Sequence, residues 1–140
     1  MPLWIIYALL SAVFAALVAI FGKIGIQNID TTLATTVRAV IMAIFLFLAT
    51  LFLGKLPLLN TIHNKALVFI ILSGIAGALS WLFYFLALKN GSATGVVALD
   101  RLSVVFVLIF ALLFLGQKLN WETAAGAVLI TIGAILMVLK

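Results

Sequence analysis

The chain has 140 residues, of which 68% are hydrophobic and only 8% charged, and its mean hydropathy is +1.49. Soluble domains are about 45–50% apolar and about 25% charged; a water-soluble globular fold is therefore excluded, and the length admits roughly five membrane spans of about 20 residues each. The net charge of +5 does not mark a nucleic-acid surface, because the cations stand singly along the chain, as membrane-edge anchors do.

The first uncharged apolar run, Leu3–Gly22, has no basic segment ahead of it and reads as a retained helix rather than a signal peptide. A turn at Gly22-Lys23-Ile24-Gly25 is expected to end it. Asp30-Thr31-Thr32 offers an N-cap for a second helix, which carries Arg38 and continues through the run Ala39–Gly54. Gly54-Lys55-Leu56-Pro57 breaks the chain before the third run, Ala66–Leu88, and Lys89-Asn90-Gly91 closes that run. Ser92 or Thr94 begins a fourth helix that contains Asp100 and Arg101 and extends through Leu102–Gln117. After Gly116-Gln117-Lys118 comes the fifth run, Thr123–Leu139. Each run is apolar around its whole circumference, as a lipid-embedded helix must be, and none alternates with the period of two of a barrel strand. The expected fold is an all-α membrane protein, residues 1–140 forming a single domain of five transmembrane helices with the termini on opposite faces.

On that topology the face of the N-terminus carries Lys55, Lys65 and Lys118. The opposite face carries Lys23, Lys89 and Lys140, with Arg38 and Arg101 set deeper. Orientation follows the Lys/Arg excess in cytoplasmic loops, and here the two faces nearly tie. Such a balance permits insertion both ways round, although a single orientation set by other factors fits the same count.

Asp100 and Arg101 are charges inside an otherwise apolar helix, where an ion costs several kcal/mol unless it faces the protein interior with a partner. Adjacent helical positions point about 100° apart, so these two do not neutralise each other on one face. Arg38 and Asp100 both lie about 9–11 Å from the same face at 1.5 Å per residue. They suit an ion pair locking helices two and four, with Arg101 snorkelling to the headgroups. They equally suit a gate or substrate-orienting cluster that includes Lys23.

On the third helix Gly77, Trp81 and Tyr84 share a face at i, i+4, i+7 spacing, and Ser80 lies beside them. A glycine next to a tryptophan leaves room for a neighbouring helix or a ligand. Trp81 is too deep for the interfacial belt, unlike Trp4 and Trp121. Trp4, Tyr7, Ser11 and Phe14 form a stripe on the first helix that fits a packed aromatic face or a cavity wall. Ala8, Ala12 and Ala16, with Gly126 and Gly133, suit helix-packing seams. Catalytic chemistry has little to draw on: His63 is the single histidine, Asp30, Asp100 and Glu122 are the acids, and there is no cysteine. No metal-ligand or phosphate-loop motif occurs, so neither an enzyme nor a cofactor is expected.

From the third helix onward the sequence runs Ser80-Trp81-Leu82-Phe83-Tyr84-Phe85-Leu86-Ala87-Leu88-Lys89-Asn90-Gly91. Leu99-Asp100-Arg101-Leu102-Ser103 and Leu115-Gly116-Gln117-Lys118-Leu119 follow. With Ala16 to Gly25 and Thr35-Thr36-Val37-Arg38, these segments resemble the EamA-type repeat of the drug/metabolite transporter superfamily, in particular the group built from one five-helix unit. The resemblance covers essentially the whole chain. The family commonly has proline two residues before the aspartate, and this chain has Ala98, which removes the expected source of a kink in the fourth helix. Gln117 stands where the family pattern has glutamate.

Larger members carry two such halves in inverted orientation around a central path, and transporters generally bind substrate near the midplane between inverted repeats. The resemblance thus implies an antiparallel homodimer in a prokaryotic cytoplasmic (inner) membrane, moving a small polar or amphipathic metabolite by alternating access. The candidate substrate contacts on this reading are Ser11, Gly77, Ser80, Trp81, Tyr84 and Ser103, with Lys23, Arg38, Asp100 and Arg101 as a gate or ion-pair set. Asp100 is the one acid well inside the spans and so the one candidate proton carrier. A proton-coupled exporter of cationic drugs is the first alternative, although the first helix lacks the carboxylate such exporters use. A non-transporting subunit of a membrane complex is the second. Lipids, a small-molecule substrate and a second copy are the expected partners, and nucleic acid is not.

Overall fold

The computed structural model describes residues 2–139. Its helices are α1 (Leu3–Gly25), α2 (Thr31–Phe52), α3 (Asn64–Asn90), α4 (Ala93–Asp100), α5 (Ser103–Leu115) and α6 (Trp121–Val138), with a 3₁₀ segment at Leu56–Thr61. Five stretches are long and apolar enough to cross a membrane, α4 and α5 together making one of them. Most large apolar side chains point outward, the arrangement expected where lipid and not water surrounds the helices.

Local chemistry sets the helix ends. Asp30 has an extended backbone and its carboxylate accepts the Leu33 N–H at 2.9 Å, capping α2. Ser92 does the same for α4, its hydroxyl accepting the Gly95 N–H at 3.2 Å. Gly54 and Gly116 take left-handed φ values of 63° and 62° just beyond α2 and α5, the conformation that lets a helix end without a Cβ clash. Pro57 sits in the first turn of the 3₁₀ segment, where its missing N–H is not needed.

Two expectations are corrected. Gly22 is not a turn residue, because α1 runs on to Gly25. A Cβ at Gly22 would stand 2.8 Å from Phe85 Cε1 and 3.3 Å from Leu88 Cδ2, so close approach of α3 is what requires the glycine. The fourth span is not one helix even without proline. Between α4 and α5 the bonding shifts to i→i+3: Leu102 N–H donates to Leu99 O at 2.9 Å, Val104 N–H to Arg101 O at 3.1 Å and Val105 N–H to Leu102 O at 2.9 Å. Arg101 and Leu102 keep right-handed backbones with ψ of −14° and −17°, so this is a tightened 3₁₀ junction.

The chain divides into two compact units. The first is Met1–Ile20 with Asn90–Lys140. Within it α4 packs on α6, α5 touches α6 more lightly, and Gly95, Ala98 and Ala134 are buried. The second is Phe21–Lys89, whose buried residues are Ile26, Thr31, Thr35, Phe85 and Leu88. There Lys23 Nζ donates to Leu88 O at 2.5 Å and to Lys89 O at 3.3 Å, a cation satisfying carbonyls at the negative end of α3. Lys89 Nζ in turn donates to Ile29 O at 2.9 Å. Two cations expected at the membrane edge thus tie the end of α1 and the α1–α2 connection to the end of α3; Lys140 lies outside the described residues.

Candidate functional site

In the second unit α2 and α3 flank a groove of about 640 Å³. Thr35, Thr36, Arg38, Ala39 and Met42 line it from α2, with Ala43 and Leu46 at its far end; Gly74, Gly77, Ala78, Trp81 and Leu82 line it from α3. A Cβ built at Gly74 or at Gly77 meets nothing within 4 Å, so these glycines leave open space instead of admitting a neighbour. Spacing explains why each set converges. Thr35, Ala39 and Ala43 recur at i, i+4, i+8, and Gly74, Ala78 and Trp81 at i, i+4, i+7, which aligns each set on one helical face.

Among the described residues, Arg38 is the one charged residue of the groove lining. It stands seven positions into α2, about 10 Å from the helix start. Its guanidinium carbon lies 3.6 Å from the centroid of the Trp81 ring and 5.5 Å from that of Phe85, a cation–π seat worth about 2 kcal/mol or more when desolvated. Neighbouring rings hold Trp81 in place: Tyr84 meets it edge-on at 5.4 Å and 72°, Phe85 lies tilted at 5.8 Å, and Tyr84 meets Phe85 at 5.9 Å and 86°. Phe85 is buried beneath them. The threonine hydroxyls are turned to their own helix, Thr35 Oγ1 donating to Thr31 O at 2.7 Å and Thr36 Oγ1 to Thr32 O at 2.9 Å. Their hydrogens are therefore engaged, and the guanidinium is the charged donor left in the groove.

Of the residues singled out in the sequence, Gly77, Trp81 and Arg38 come together here and Tyr84 braces them. Ser80 is exposed beside Trp81 and is not part of the groove lining. Lys23 belongs to the same unit but serves the end of α3. Ser11, Asp100, Arg101 and Ser103 belong to the other unit, and all four side chains are exposed. Asp100 is the last residue of α4, Arg101 its C-cap, and Ser103 the first residue of α5. Sequence reasoning missed the α2 wall apart from Arg38; the small-residue spacing Thr35, Ala39, Ala43 was the available signal. A second pocket of about 240 Å³ lies between α5, α6 and their connection, lined in part by Gln117, Lys118, Leu119 and Thr123.

The groove is a concave wall whose volume falls within the about 300–1,000 Å³ of small-molecule pockets, and it carries a guanidinium and an aromatic face. The family model of the EamA-like transporter family matches residues 2–139. The chain is 42% identical over 134 residues to a Sinorhizobium protein called an "uncharacterized transporter in cobO 3'region", an alignment covering 96% of this chain and 95% of that one. No solved structure matches the chain. A multi-pass helical protein matched over nearly its whole length by this model, and this similar to such a relative, belongs to the EamA-like transporter family.

Proposed function

We propose that the chain is one half of an alternating-access transporter that moves a small polar or amphipathic metabolite across the cytoplasmic membrane, completed by a second copy inserted the other way up. The observation that carries this is the α2–α3 groove: a cavity of substrate size beside a fixed charge, about 10 Å inside apolar spans. A charge at that depth is costly to hold and is a functional-site hypothesis by default. The five-span count and the near-balance of loop cations support pairing with an inverted copy, since inverted repeats are how many transporters enclose a midplane site. The groove lining speaks against an exporter of cationic drugs, because its one charged residue is an arginine.

The chain has no cysteine, so single cysteines report topology cleanly. In cells producing Asn60→Cys, a membrane-impermeant maleimide should label about half of the protein from outside and the remainder only after lysis. Labelling wholly from one side refutes the inverted pair. Uptake of metabolite pools into liposomes holding the purified protein tests transport itself. Flux no greater than in protein-free liposomes would favour the non-transporting subunit.

A further inference from the structure

The charge and shape of the α2–α3 groove narrow its occupant to one chemical class. We propose that it takes a small amphipathic organic anion, with an apolar or aromatic body lying along the groove and one carboxylate at Arg38. The inference rests on the transport reading above and names the substrate class of that same site.

Three observations carry it. First, sign: none of the chain's acids, Asp30, Asp100 or Glu122, lines the groove, and Arg38 does. A cationic ligand entering there meets a like charge, whereas an anion neutralises a guanidinium held among apolar lining residues. Second, geometry: Trp81 takes one face of the guanidinium at 3.6 Å. Stacking uses the face and leaves the in-plane N–H edges, which match a carboxylate in bidentate fashion. Within Phe21–Lys89 the guanidinium is seated on the rings of Trp81 and Phe85. Third, dimensions: from Arg38 to Leu46 the α2 wall extends about 12 Å, apolar beyond the threonines and opposite the open space at Gly74 and Gly77. That length suits a ring with a short chain.

A phospholipid fits less well. Its phosphate belongs at the headgroup level, about 10 Å from Arg38 along α2, and the ring seat holds the arginine at depth. A small acid brings its carboxylate to that depth.

The test uses Trp81 as reporter in full-length Trp4→Phe/Trp121→Phe protein, in zwitterionic micelles at pH 8, with three probes sharing one body: 4-phenylbutyrate, 4-phenylbutyramide and 4-phenylbutylamine. The acid should shift Trp81 emission saturably, with an affinity exceeding that of the amide by about tenfold or more, the size expected for a hydrogen bond to a charged group. The amine should bind weakest. Arg38→Gln should abolish the preference for acid over amide, and Gly77→Leu should weaken all three probes by filling the groove. The probe series is read on the intact site, so the comparison survives even if Arg38→Gln does not fold.

Equal affinities for acid and amide, or preference for the amine, overturn the inference. So does an emission shift produced by phosphatidylglycerol but not by the acid, which would make the groove a lipid site, or one that follows protein concentration alone, which would make it a contact between copies. Liposome flux separates the two claims. Acid that binds selectively but is not carried sinks the transport reading and leaves the site's chemistry standing. Carriage of neutral or cationic solutes with no preference for the acid sinks the anion site alone.

Discussion

Gly22→Ala adds a single methyl where α1 meets α3, and its effect follows from measured distances. The new Cβ would stand 2.8 Å from Phe85 Cε1 and 3.3 Å from both Phe85 Cζ and Leu88 Cδ2. Carbon atoms rest at about 3.5–4.0 Å, so the ring must retreat by roughly 0.7 Å or more. It has little freedom to do so, being 2% exposed and fixed between Trp81 and Tyr84 at 5.8 and 5.9 Å. Overpacking of this kind costs about 1–3 kcal/mol, against which replacing a helical glycine by alanine gains about 1 kcal/mol in the helix interior.

The control is Gly133→Ala on α6, where a Cβ meets nothing within 4 Å. It shares the helix-propensity gain, so the difference between the two variants isolates the clash. We expect Gly22→Ala to be less stable than Gly133→Ala by about 1–3 kcal/mol, in reversible unfolding of mixed micelles by increasing dodecyl sulfate, followed by far-ultraviolet circular dichroism. Phe85→Leu should relieve the clash, giving a coupling of at least about 0.5 kcal/mol in the double variant. Equal stability of the two alanine variants, with no coupling to Phe85, would refute close approach as the reason for this glycine.

Asp30→Ala removes the α2 cap and should lower stability by about 1 kcal/mol in the same assay, with Ser92→Ala acting similarly through α4. Lys23→Met removes a charged donor from the end of α3 and should cost about 1.5–3 kcal/mol, with faster amide hydrogen exchange between Leu88 and Gly91 as the local sign. Arg38→Gln and Trp81→Leu should be non-additive by about 0.5–2 kcal/mol, since each abolishes the same stacked pair. Arg38→Gln combined with Asp100→Asn should be additive if Trp81 holds the arginine. Recovery of stability in that double variant would instead establish the ion-pair lock between helices two and four.

The parts legible in the sequence were those tied to one residue type. Asp30 announces its helix start, and Ser92 or Thr94 the next one, because a short acceptor side chain ahead of an apolar run has few other uses; the structure selects Ser92. Trp81 and Gly77 stood out as a deep aromatic beside an absent side chain. The α2 wall was hard to see because a helix apolar on every side offers no contrast between its lipid face and its packed face. Gly22 was misread because glycine signals both a chain reversal and a close contact, and only Phe85, 63 positions on, distinguishes them. The split of the fourth span has no compositional mark, since moving from i→i+4 to i→i+3 bonding needs no particular side chain.

That split also makes the span a screw with two thread pitches. A 3₁₀ residue advances about 2.0 Å and turns 120°, an α-helical one about 1.5 Å and 100°. Each of the two junction residues, Arg101 and Leu102, that converts to α-helix shortens the span by about 0.5 Å and rotates α5 by about 20°. Converting both turns α5 by roughly 40° about its own axis. The Phe110–Phe114 edge, whose tilted rings lie 6.1 Å apart, would then face a different direction. α4, packed on α6, would not have moved.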